Sequence, residues 1–350
     1  MCIRDSIHAV CSELEMRKEY LGGETIETIY WGGGTPSQLD KEDFETIFYY
    51  LHKNYSISSH PEITLEANPD DLTPDYIAML RTLPFNRLSM GIQTFNESIL
   101  KVLQRRHTAR QAIEAFQNCR AAGFQNISID LMYGLPGETL STWQQDLDQA
   151  LLLHPEHLSA YHLIYEEDTV LWKLREQHKV EEADEDLSVS LFSTLIDRLT
   201  SEGYDHYEIS NFSLPGLYSR HNSSYWTEKK YLGCGPSAHS YNGVSRQWNV
   251  ASLDTYIKGI SAGTPVFEIE ELDLYTRYND FVITRIRTEW GMPLSKLRDE
   301  FGEKLYDYCL RMAAPHLKQG TLELVNDILK LTRKGIFISD GIMSDMLWTD

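Results

Sequence analysis

The chain has 350 residues, 42% of them hydrophobic, which is enough for one large domain and a smaller one. Its formal net charge of −20 argues against nucleic acid or an anionic membrane surface as the main partner, because an acidic face repels phosphate. No run of about 18 apolar residues and no charged-then-apolar leader occurs, so neither a membrane span nor a signal peptide is expected, and the expected compartment is the cytoplasm.

Five cysteines, Cys2, Cys11, Cys119, Cys234 and Cys309, are scattered without short ligand spacing, as fits reduced structural thiols. From Glu27 to Ile164 a pattern repeats: a short β-branched run, a polar or glycine-rich break, then a helical segment. The runs are "TIYW", "EITLEA", "RLSMGIQ", "ISIDLMYG" and "LSAYHLI", with amphipathic stretches at Ala109 to Ala122 and Thr139 to Leu153 among the segments between them. Strands alternating with helices predict a parallel α/β sheet, either doubly wound or a β/α barrel. Gly33, Gly34 and Thr35, then Glu66 and Asn68, Gln93, Asp130 and His162, fall at or just beyond the carboxyl ends of successive runs, the edge where such sheets bind ligands.

The glycine run in "YWGGGTPSQL" lacks the spacing of either common phosphate loop. It reads as a tight turn, or as bare backbone meeting the ammonium and carboxylate of an amino-acid-like group. The acidic run from Val180 to Asp186 reads as a solvated loop or helix start. After Leu274 the alternation stops. Helices are expected over "YTRYNDFVITRIRTEWG", "PLSKLRDEFG" and "LYDYCLRMAAPHLKQG", then a strand pair in "LELVNDILKLT" turning at Asn326-Asp327, then a final helix in "GIFISDGIMSDML". That order predicts a small winged-helix-like α+β domain over residues 275–350. It carries as many basic as acidic side chains, eleven of each, so a lid or capping role is preferred to DNA binding.

"YWGGGTPS", "LEANPDDL", "NRLSMGIQTFN", "LQRRHTARQA", "ISIDLMYGLPGET", "EISNFS", "RHNSSYW" and "YLGCGPSAHSY" together resemble the radical S-adenosylmethionine (radical SAM) proteins of the oxygen-independent coproporphyrinogen III dehydrogenase family, and more closely its HemW branch of haem chaperones. The resemblance runs from Ile7 to the C-terminus. It implies a partial β/α barrel over residues 7–274, with Gly33, Gly34 and Thr35 along the methionyl end of S-adenosylmethionine. It further implies Glu66, Gln93, Arg105 and Asp130 at other cofactor-binding positions, and Ile164 and His239 near the adenosyl portion. Carboxylates and an amide suit ribose hydroxyls and an ammonium, and the planar fork of Arg105 suits a carboxylate.

One departure stands out. The three-cysteine C-x-x-x-C-x-x-C motif that holds the family's [4Fe-4S] cluster is absent, so the chain offers no cluster ligands and radical chemistry is not expected of it as written. Residues 1–6, "MCIRDS", match nothing in the family and read as joined on. An N-terminal stretch of roughly 30–40 residues, about one β/α unit, is expected to be missing.

Two family functions compete. The dehydrogenase decarboxylates two propionates of coproporphyrinogen III, whereas the chaperone binds haem and passes it to respiratory proteins, in the cytoplasm or at the membrane periphery. The H-N-x-x-Y-W pattern marks the chaperone branch and implies His221 as haem ligand, with Asn222, Tyr225 and Trp226 around it. On the residues alone, His-Asn-Ser-Ser is loop chemistry and the Tyr-Trp pair is core. A third reading, a barrel hydrolase using Glu66 and Asp130 as acid and base, leaves the glycine run and Arg105 without a task.

Overall fold

The computed structural model describes residues 3–349; Met1, Cys2 and Asp350 lie outside the described residues. The non-matching leader is therefore described only over residues 3–6, which begin the helix Ile3–Met16. Backbone packing divides the chain into two compact units, Thr28–Leu39 with Glu62–Ser219, and the rest of the described residues. The tail lies in the second of these units, together with residues 220–274 and 40–61.

The principal sheet has seven strands, β1 (Ile26–Trp31), β2 (Ile57–Ala67), β3 (Arg87–Gln93), β4 (Ile127–Tyr133), β5 (His157–His162), β6 (Asp205–Glu208) and β7 (Asn211–Ser213). They lie in the order β1-β2-β3-β4-β5-β7-β6 and curl into a half-barrel. From β2 to β5 the pairing is parallel, while β7 and β6 close the far edge as an antiparallel pair that the alternation pattern did not predict. Parallel sheets covered on both faces usually carry near-continuous apolar strands. Here the strands alternate. Leu65, Leu88, Met90, Ile92, Ile127, Ile129, Leu131 and Leu158 are all fully buried on one face. Thr64, Glu66, Ser89, Ser128, Asp130, His157 and Ser159 line the other in register. A polar inner face in a half-barrel is an interior built to bind rather than only to pack.

Helix starts are set by side-chain caps. Thr73, Thr108 and Thr139 each accept a hydrogen bond from the backbone N–H three residues on, the last two as reciprocal capping boxes with Gln111 and Thr142. Each cap is worth about 0.5–2 kcal/mol. The helix Leu140–Leu153 buries Trp143 completely, and its indole N–H donates to Leu191 O at 3.0 Å. The acidic run ends with Asp184 capping the helix Glu185–Ser201.

In the other unit, β8 (His239–Tyr241), β9 (Ser245–Asn249) and β10 (Phe267–Glu271) form an antiparallel sheet. The tail begins with the helix Leu274–Ile286, and the helical span Leu294–Gln319 is broken at Gly302, whose φ of 78° splits it into the two helices expected. A small sheet joins β11 (Met292–Pro293), β12 (Leu322–Val325) and β13 (Ile328–Leu331). Asn326 and Asp327, with φ 50° and 73°, make the two-residue turn that needs left-handed backbone at both positions. The final helix is two short ones, Arg333–Ile336 and Ser339–Met346. Gly335 explains the first: a Cβ there would stand 1.9 Å from Thr321 O, so the backbone is drawn tight against its neighbour.

Candidate functional site

The glycine run leaves β1 and turns back over Glu66. Gly33 and Gly34 take φ of 72° and 82°, a region that L side chains rarely enter, and Gly32 is held by contact instead. A Cβ on Gly32 would lie 2.6 Å from the Tyr30 ring and 2.8 Å from Glu66 Oε1. Glu66, near the end of β2, accepts from Tyr30 Oη at 2.6 Å and from the Gly33 N–H at 3.2 Å. Burial, then the Glu66 carboxylate, pushes the Tyr30 phenol far above its ordinary value, so it stays a donor. Tyr30 therefore belongs to the site although it gave no signal in the sequence beyond a strand position.

Next to this loop lies a cavity of about 340 Å³ lined by Thr35, Gln38, Asn68, Asp70, Arg105 and Arg106 among others. Arg105 is half-buried and makes no ion pair among the described residues. Its Nη2 donates to Asn68 Oδ1 at 2.7 Å and to Gly91 O at 3.0 Å. Burial lowers its pKa, with the Asp70 carboxylate opposing the fall and Arg106 adding to it. Gly91 is the clearance for this fork: a Cβ there would stand 3.0 Å from Gln93 Nε2 and 3.5 Å from Arg105 Nη2. Gln93 ends β3 in left-handed backbone, φ 70°, an unusual conformation that turns its amide at the sheet's carboxyl edge.

Asp130 is not at a strand end. It sits mid-β4 opposite Gly91, where Ser89 Oγ lies 3.2 Å from both carboxylate oxygens. Burial pushes its pKa up to about 6, with Glu66 adding to the rise and Ser159, Ser89 and Arg87 opposing it. His162 is the last residue of β5, but its ring is tied to Leu163 O and Ser188 Oγ. Ile164 is 75% exposed just past β5 and is not among the cavity-lining residues.

Between β4 and the helix Leu140–Leu153, Glu138 is buried and accepts from the Gly134 and Leu135 N–H groups at 2.7 and 3.3 Å, leaving Oε1 without a partner. Burial raises its pKa from 4.5 to about 7. The folded-state value lies above the unfolded one, so its contribution to stability is full below about 4.5 and is lost as pH rises through about 7. Glu138→Gln keeps an acceptor for both N–H groups. It is expected to raise stability above pH 7 by about 1–3 kcal/mol and change it little near pH 4.5. Thermal melts at the two pH values check this, and an equal change at both would contradict it.

The second cluster of expected residues lies in the other unit. "RHNSSYW" forms a helix, Arg220–Trp226, rather than a loop, with Ser224 Oγ and Thr227 Oγ1 turned back onto the carbonyls of Arg220 and Ser223. The helix sets His221 and Tyr225 one turn apart, Nε2 to Oη at 3.0 Å, with rings nearly perpendicular. Tyr225 continues edge-on to Tyr231, and the Trp226 ring lies 4.1 Å below the Arg287 guanidinium. Asn222 is half-buried on the same helix. His239 stands apart from this group, on β8, against Trp248.

Of the expected cofactor residues Thr35 and Arg105 line the cavity, while Gly33, Gly34, Glu66, Gln93 and Asp130 are not among its lining residues. S-adenosylmethionine is a sulfonium amino acid joined to a nucleoside, and the polar groups on this part of the half-barrel fit its chemistry: bare backbone, carboxylates, an amide and an arginine without an ion pair. A [4Fe-4S] cluster does not fit. No group of three or more His, Cys, Asp or Glu is placed to hold a metal among the described residues. Cys11, Cys119 and Cys309 are buried with their thiols pushed above 9, and Cys234 well above it. Among the described residues no helix is long and apolar enough to cross a membrane.

Residues 7–150 match the radical SAM superfamily model, and residues 272–338 match the HemN C-terminal domain. Heme chaperone HemW of Mycobacterium tuberculosis is 32% identical, the match covering 97% of this chain and 85% of that protein. Heme chaperone HemW of Bacillus subtilis is 30% identical over 93% of this chain and 86% of its own length. Among solved structures, coproporphyrinogen III oxidase (HemN) from Escherichia coli superposes with a TM-score of 0.84 at 22% identity, covering 98% of this chain and 82% of that one, a likeness of fold. The sheet order, the glycine turn and the full-length relatives lead to one assignment: the chain belongs to the HemW family of radical SAM proteins.

Proposed function

We propose that this chain is a haem chaperone that binds haem on the helix Arg220–Trp226, holds S-adenosylmethionine in the half-barrel, and delivers haem to respiratory proteins from the cytoplasm or the membrane periphery. The observation that carries the haem reading is the His221–Tyr225 pair. A histidine whose ring is fixed by a hydrogen bond one helical turn away, on a partly exposed aromatic surface, is suited to ligate haem iron while the rings pack on the macrocycle. In the half-barrel, Gly33, Gly34 and Thr35 take the amino-acid end. Arg105 meets the ligand carboxylate, and Glu66, Gln93 and Asp130 accept from or donate to its ammonium and hydroxyl groups. The described residues do not fit a cluster. The rival reading, oxidative decarboxylation of coproporphyrinogen III, is supported by fold likeness alone.

Haem titration followed in the visible spectrum tests the proposal. His221→Ala is expected to weaken binding at least about tenfold and to change the bound spectrum, with Tyr225→Phe between it and the parent. Unchanged affinity and spectrum in a folded His221→Ala protein remove His221 from the role.

A further inference from the structure

The polar face of the half-barrel carries the carboxylates of Glu66 and Asp130 and a buried cation, Arg87. Arg87 opens β3, is 2% exposed, and is among the largest fully buried side chains. It makes no ion pair among the described residues, and its Nε has no hydrogen-bond partner. A buried, unpaired guanidinium is costly and calls for a reason. Its register supplies one. Arg87 pairs with Thr64 across β2, and two residues on along each strand come Ser89 and Glu66, also paired. Two residues along a strand is about 6.6 Å. Ser89 in turn holds Asp130 on β4. The cation thus sits on the same face one step below Glu66 and two steps below Asp130, whose carboxylate reaches back to Ser89 between them.

We propose that Arg87 is the internal countercharge of the half-barrel: it offsets the negative charge gathered on this face, and so positions Glu66 and Asp130 as acceptors for the ligand. The positioning half rests on the reading that these carboxylates hold S-adenosylmethionine. The charges around Asp130 bear the proposal out. Tyr30 from β1, Glu66 from β2, Arg87 from β3 and Tyr161 from β5 are its titratable and charged surroundings, and His157 from β5 with Tyr207 and Glu208 from β6 surround Arg87 and Tyr161 in turn. Tyr30 and Tyr207 are held protonated by burial, which also keeps His157 neutral. His157 is committed besides, bonded to Ser128 Oγ at 2.8 Å and Tyr207 Oη at 2.7 Å. Arg87 is left as the positive charge opposing Glu66 at Asp130, and an opposite charge nearby lowers a carboxyl pKa.

The test has two arms. Infrared titration of Asp130 in the ligand-free protein, assigned by its loss in Asp130→Asn, follows the carboxyl directly. The parent is expected to titrate near 6, Arg87→Lys close to it, and Arg87→Gln above neutrality. An unmoved midpoint in folded Arg87→Gln overturns the proposal. If Arg87→Gln does not fold, the parent decides: a midpoint near 6 supports an effective countercharge, and one above 7.5 overturns it. The second arm is calorimetric titration with S-adenosylmethionine. Between about pH 8.5 and 6.5 the parent's affinity is expected to change less than twofold, and that of Arg87→Gln to fall about tenfold, with Arg87→Lys restoring the parent profile. A shifted infrared midpoint without ligand binding by the parent at any pH overturns the positioning role and the cofactor reading together, and leaves the countercharge standing.

Discussion

Glu13→Ala is expected to lower stability by about 3–5 kcal/mol and the first thermal transition by roughly 10 °C, the largest single-residue effect on stability foreseen in the unit that contains the tail. Glu13 is completely buried in the helix Ile3–Met16. Its Oε1 accepts from Arg17 Nη1 at 3.1 Å and Asn249 Nδ2 at 2.8 Å, and its Oε2 from the Gly235 N–H at 2.9 Å and Tyr256 Oη at 2.7 Å. Four donors on four segments of chain converge on one carboxylate. Alanine strands all four and leaves Arg17, which also bonds Gln247 Oε1 at 2.8 Å, as a buried charge without its counter-ion. Removing both charges in Glu13→Leu/Arg17→Met should cost less than Glu13→Ala alone, because the uncompensated guanidinium goes with the carboxylate. Urea and thermal unfolding of the three proteins measure this. A double variant less stable than Glu13→Ala would show that geometry, not charge balance, dominates the cluster.

The same cluster shows what the chain discloses and what it withholds. Strands β3 and β4 were legible because alternation, glycine breaks and amphipathic helices are local signals, and their predicted starts coincide with those observed. The tail was equally legible, since Gly302 and Asn326-Asp327 break the backbone with local chemistry. Glu13 and Arg87 were not. A charged residue in a strand or amphipathic helix reads as solvated until distant segments are known to enclose it, and Asn249 and Gly235 are more than two hundred residues from Glu13. The division into units is not a local signal either: residues 28–39 fold with 62–219 while the stretch between them belongs elsewhere, so no single composition shift marks it.

Site residues were legible to the extent that they end strands. Glu66 and Gln93 are at the sheet's carboxyl edge as expected, whereas Asp130 lies mid-strand and faces the interior because the curled sheet brings β4 opposite Gly91. "HNSSYW" misled because Asn and Ser favour turns in isolation. In the chain the Ser224 hydroxyl bonds back to the carbonyl of Arg220 instead, and the helix places His221 and Tyr225 on one side.

Arg105→Ala is expected to weaken S-adenosylmethionine binding by about 2–4 kcal/mol, roughly thirtyfold to a thousandfold, while leaving thermal stability unchanged or slightly higher. The two directions have one cause. In the free protein Arg105 is a half-buried cation whose charged form burial disfavours, held by two neutral oxygens, Asn68 Oδ1 and Gly91 O. Removing it relieves that penalty, and water entering the cavity can satisfy both oxygens. A bound carboxylate is what the cation lacks, so its cost in the empty protein becomes affinity in the occupied one. Arg105→Lys should behave nearly as badly as alanine, because an ammonium cannot keep the Asn68 and Gly91 contacts and offer a planar fork as well. Calorimetric titration beside thermal melts of the three proteins decides it. A loss of stability with unchanged affinity would make Arg105 a structural residue, and would take with it the reason for placing an amino-acid carboxylate in this cavity.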